Sequence, residues 1–88
     1  MWLQECPNFD QGLVRPLVSA EGVVVLYCDS GDCTWLTPAD VETSPGLDLD
    51  LSDWSIAPGI HLTPGQTRWA EADDLPPTWQ ADYEWHEG

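Results

Sequence analysis

A chain of 88 residues is expected to form one domain, and at that size only about two thirds of the unfolded surface is buried, so its core must be dense. Sixteen Asp and Glu against Arg15 and Arg68, with no lysine, give a formal net charge of -14, which makes DNA, RNA and anionic membranes poor partners and basic surfaces good ones. With 42% hydrophobic residues the chain is not a disordered acidic tail; residues 1–5 carry no basic leader and no run approaches the ~20 apolar residues of a membrane span, so the expected compartment is the cytoplasm.

The first half reads as a β unit. Residues 12–19 and 22–28 are β-rich runs separated by Ala20, Glu21 and Gly22, where the glycine supplies a turn, so they are expected to form a hairpin. Pro16 has no N–H to give to a ladder, which places the first run at a sheet edge or a bulge. Val23, Val24, Val25, Leu26 and Tyr27 in succession describe a central strand covered on both faces. A turn through Asp29 and Asp32 leads to a third strand over residues 33–36. Thr37, Pro38 and Asp40 form a helix start, with Thr37 as cap, Pro38 at the first position and the acid in the first turn. Ser44, Pro45 and Gly46 end that helix after a short run.

The second half is acidic and rich in tryptophan. Leu47, Leu49 and Leu51 alternate with Asp48 and Asp50, the pattern of a strand with one buried face. Turns follow around Pro58 and Pro64, then a short strand over residues 67–70 and a turn or single helical coil over residues 71–75. After Pro76 and Pro77, the residues Trp79, Ala81, Tyr83 and Trp85 alternate with polar neighbours, which again predicts a strand, with an aromatic and an acidic face. A helix would instead pair Trp79 with Tyr83. The predicted fold class is mainly β: a small antiparallel sheet with one or two short helices, residues 1–42 forming the β unit and residues 43–88 an extension packed on it.

Residues 5–12, ECPNFDQG, followed by LYCDSGDCTWLTPADV, resemble the treble-strand zinc ribbon, in particular short bacterial proteins that begin with a CPxC-G knuckle. The resemblance covers residues 2–42 and implies a β-ribbon scaffold, which by itself assigns no activity. It would place ligands at 6, 9, 28 and 31. Here Cys6 and Cys28 are in register, Phe9 and Gly31 stand at the other two positions, and Cys33 is extra. A tetrahedral zinc site needs four N or S ligands. Three states follow: a site without metal whose space is filled by Phe9, which is the expectation; a Cys6–Cys28 bridge; or zinc held by Cys6, Cys28, Cys33 and a fourth group such as Asp10, His61 or His86. No cofactor is therefore expected, zinc remaining the alternative.

Catalysis finds little support. Cys33 beside Asp29 and Asp32 sits in an electronegative turn that disfavours a thiolate. His61 and His86 have no Ser or Cys near them in sequence. Asp48 and Asp50 lack the glycine and distal glutamate of a calcium loop, and no glycine-rich phosphate cradle occurs. The chain is read as a binder and not an enzyme.

The expected role is that of an acidic inhibitor of the immunity or antitoxin type, covering the basic cleft of a toxin or a nucleic-acid-handling enzyme, with mimicry of nucleic acid as a sharper form. The partner-binding candidates are the acids Asp48, Asp50, Asp53, Glu71, Asp73, Asp74, Asp82 and Glu84, with Trp54 and Trp85 as aromatic anchors. The alternative is a structural or adaptor ribbon of a larger assembly, whose acids serve only solubility.

Overall fold

In the computed structural model, which describes residues 1–7, 12–30 and 33–87, the hairpin expected at the start is the centre of the molecule. The readings placed on Phe9, Asp10, Gly31 and Asp32 lie outside the described residues. β2 (Leu13–Val18) and β3 (Val24–Cys28) pair antiparallel from Val14↔Cys28 to Val18↔Val24. Gly22, at φ 85, makes the turn without the steric cost a Cβ would bring there. The Ser19 hydroxyl accepts the Val23 N–H at 3.1 Å, so a side chain closes what the backbone leaves open. Val23 itself stays in the turn and is 43% exposed, one residue outside the expected central strand.

β1 (Gln4–Glu5) and β7 (Arg68–Trp69) share the outer side of β2, and β4 (Thr34–Trp35) adds to β3, giving one antiparallel sheet among the described residues. β2 is therefore an inner strand in unbroken register with β3, contrary to the edge position or bulge expected from Pro16. The proline is accommodated because β1 pairs only with Leu13 and Val14, and β7 only with Leu17 and Val18. Pro16 falls between them, and its carbonyl still accepts the Ala70 N–H at 2.9 Å.

Successive residues of a strand face opposite sides, and the sheet has a core on each. Val14, Leu26 and Cys28 meet Leu3, Cys6, Trp35 and Val41 on one face, and Val18 joins Ala70 and Leu75 there. On the other face Leu17 and Val25 pack with Ile56 and Leu62 of the segment that forms β5 (Ser55–Ala57) and β6 (Ile60–His61). The fold is mainly β with two short helices, as expected from the sequence.

Three local expectations are corrected. α1 (Asp40–Thr43) starts after Ala39, and the Thr37 hydroxyl bonds the Asp40 carboxylate at 3.0 Å instead of capping a backbone N–H. The leucine–aspartate run is not a strand. Leu47 makes a single bridge to Thr34, Asp50 one to Ser55, and Leu51 is 68% exposed, so the leucine face is only half-buried and ends at Leu49. Residues after the paired prolines form α2 (Pro77–Asp82), not a strand, because Pro77 at the first helical position presets the helical φ and has no N–H to leave unpaired. Trp79 within the helix and Tyr83 in extended backbone just after it both pack against the core.

Candidate functional site

The segment between α1 and β7 contributes neighbouring residues to two concavities. Leu49 lines the first together with Leu17, Tyr27, Trp54, Leu62 and Trp69, in an apolar groove of about 380 Å³. Asp48, Asp50, Asp53, Ser55 and His61 line the second, of about 480 Å³. The alternation of leucine and aspartate thus governs residues 48–50 although they form no strand: the leucine goes to the groove and its two neighbours to a carboxylate ledge.

Hydrogen bonds hold the turn that follows residues 48–50. Asp50 Oδ1 accepts both the N–H of Ser52 (2.9 Å) and its hydroxyl (2.7 Å). Asp53 Oδ1 does the same for Ser55, at 2.9 and 2.7 Å. These bonds, the hydroxyl first, stabilise the ionised form of Asp53 and lower its pKa. Trp54 has φ 64, a left-handed conformation costly for a bulky side chain. It is clamped there because its N–H donates to Asp50 O (2.6 Å) and its carbonyl accepts from Leu62 N (2.7 Å).

The far wall of the groove comes from the sheet. Tyr27 and Trp69 have ring centroids 6.2 Å apart, and the Arg15 guanidinium lies 5.9 Å from the Trp69 ring centre. Trp69 is 50% exposed and escaped the sequence reading, since a two-residue strand carries no pattern that says which face is open. Tyr27 shares a face with Val25 by strand alternation, which was visible, but not what lay opposite.

Both arginines are held by carboxylates. Arg15 Nε donates to Asp29 at 2.9 Å, and Asp29 also accepts the Leu13 N–H; that backbone bond first, then Arg15, lowers its pKa. Arg68 grips Asp74 through two bonds of 2.6 and 2.8 Å, and Asp74 accepts the Glu71 N–H as well, holding its carboxyl far below the usual range and raising Arg68. Asp74, one of the expected partner-binding acids, is therefore spent inside the molecule.

The remaining candidates separate. Asp48, Asp50 and Asp53 are brought together. Glu71 lines a third hollow with Met1, Trp85 and His86, while Asp73, Asp82 and Glu84 are exposed and line none of the three. Trp85 faces inward instead of outward: it is half-buried, and its indole N–H donates to the Trp79 carbonyl at 2.9 Å. Trp2 stacks on His86 at 4.4 Å.

Cys6 and Cys28 are buried thiols on either side of Gly12, and Cys33 packs against the same cluster. Among the described residues no three His, Cys, Asp or Glu side chains are grouped so as to hold a metal.

One constellation was hidden in the sequence. His61 faces Ser55 across β5 and β6, and its Nδ1 lies 2.6 Å from Glu21 Oε2. The order Ser55, His61, Glu21 has the form of a nucleophilic triad, but the Ser55 hydroxyl donates to Asp53, and three carboxylates nearby would repel a developing oxyanion. The contact is better explained as a clip: Glu21 also accepts the His61 N–H at 2.8 Å, and Ala20 N donates to His61 O at 2.9 Å, fastening the β2–β3 turn to β6.

Comparison with protein-family models, curated proteins and solved structures finds no match for the chain.

Proposed function

We propose that the chain is an acidic inhibitor of the immunity or antitoxin type, which neutralises a toxin or a nucleic-acid-handling enzyme by covering its basic cleft. The observation that supports this reading is the commitment of both arginines to Asp29 and Asp74, in a chain without lysine. The ledge of Asp48, Asp50 and Asp53 therefore presents its negative potential beside an apolar groove. Steering by such potential accelerates encounter, and burial of apolar side chains then holds the complex. Trp54 and Trp69 serve as anchors, with Asp73, Asp82 and Glu84 adding to the long-range field.

The test is affinity capture from the source cells with the full chain, followed by association kinetics against the partner recovered. Inhibition predicts a partner with a basic face whose activity is suppressed. Its association rate should fall by about tenfold or more between low salt and a few hundred millimolar. A rate indifferent to salt would instead favour an adaptor held by apolar contacts. Changing Asp48 and Asp50 together to Asn should slow association, and an unchanged rate counts against the ledge.

A further inference from the structure

We infer that the groove and the ledge form one two-part reader for a protein segment in which a bulky aliphatic or aromatic residue is flanked by arginine or lysine. The inference rests on the inhibitor reading and specifies how the partner is held.

The assignment of the two subsites follows from charge. Among the described residues no carboxylate lines the groove and its Arg68 is already paired with Asp74, so the groove offers a cation no partner, whereas Leu17, Tyr27, Leu49, Trp54 and Leu62 suit an apolar side chain. The ledge is the reverse: Asp48, Asp50 and Asp53 attract a cation, and no arginine lines it. Residues 48–50 contribute to both, with neighbouring Cα atoms about 3.8 Å apart. Because Leu49 lines the groove while its chain neighbours Asp48 and Asp50 line the ledge, an anchor seated against Leu49 places an adjacent, long-armed Arg or Lys beside the ledge. Both walls are built in advance, Trp54 by its two backbone bonds and Trp69 by Arg15 and Tyr27, so little ordering is lost when the segment seats.

The experiment uses the ¹⁵N-labelled full chain and three capped peptides: Gly-Ser-Lys-Leu-Arg-Ser-Gly, a counterpart with serine in place of leucine, and one with glutamine in place of both cations. The first should shift the indole signals of Trp54 and Trp69 together with the amides of residues 48–53, and bind about tenfold more tightly than either counterpart. Trp69→Ala, at a half-exposed position that the core does not depend on, should abolish the advantage of leucine over serine; Asp48→Asn with Asp50→Asn should abolish the advantage of the cations. Equal binding of the leucine and serine peptides, with only the ledge amides responding, overturns the inference while leaving an inhibitor that works by charge alone. So does silence of the leucine peptide at millimolar concentration, or concentration-dependent shifts without peptide, which would make a second copy of the chain the occupant. Failure of the inhibitor reading is separate, and appears as absence of selective association with any cationic macromolecule at low salt.

Discussion

At the scale of single residues, two positions carry costs that substitution can expose. Thr34 is fully buried in β4, and its hydroxyl has no hydrogen-bond partner among the described residues. Replacing it by the isosteric Val removes an unsatisfied polar group, so Thr34→Val should stabilise the protein by about 1 kcal/mol, read as a rise in the denaturant midpoint at unchanged slope. Gly12 is the opposite case. A Cβ there would lie 2.8 Å from Cys28 Sγ and 3.1 Å from the Cβ atoms of Cys6 and Ser30, so the buried Cys28 side chain would have to shift. Gly12→Ala should cost about 1–3 kcal/mol, measured in the same way, whereas the same change without effect would mean the cysteine cluster is loosely packed. Neither position was legible beforehand. In the sequence Gly12 opens a predicted strand and Thr34 lies within another, because close approach and an orphaned hydroxyl arise only once distant segments meet.

At the scale of elements, the hairpin of β2 and β3 and the 3-10 turn over Ala72–Asp74 were readable because their signals are local: β-branched runs, a turn glycine, and acids able to cap. The C-terminal segment was misread because alternation over a few aromatics fits a strand as well as a helix face, and the paired prolines, which favour a helix start, weighed more than the pattern. The 3-10 turn also concentrates the acid response. The carboxyl of Asp74 is lowered first by Arg68 and then by the Glu71 N–H, so its contribution to stability is complete above the ordinary carboxylate range and disappears as pH falls through the depressed value. Glu21, lowered by the His61 N–H and then its ring, and Asp29 behave with the same sign. Denaturant midpoints followed from neutral pH downward should therefore decline through the acid range, and Asp74→Asn, which removes one of these groups, should begin less stable and decline less steeply.

At the scale of the whole molecule, the acidic balance was plain in the sequence, but its distribution was not. Composition marked eight acids as equivalent candidates, whereas folding pairs Asp74 with Arg68, gathers Asp48, Asp50 and Asp53 on one ledge, sets Glu71 in a third hollow, and leaves Asp73, Asp82 and Glu84 elsewhere on the surface. A net charge of -14 repels itself in the folded state, so added salt should raise the thermal midpoint at neutral pH, the reverse of its effect on association with a cationic partner. A midpoint independent of ionic strength would show the charges too dispersed to matter. The paired backbone bonds of Trp2 and His86, at 2.8 Å each, bring the two ends of the chain side by side, and neither residue lines the groove or the ledge. A short glycine linker could therefore join head to tail into a circle, which in the chain-entropy picture would be harder to unfold by about 4 kcal/mol. New openings could then be cut in surface turns without disturbing the groove or the ledge.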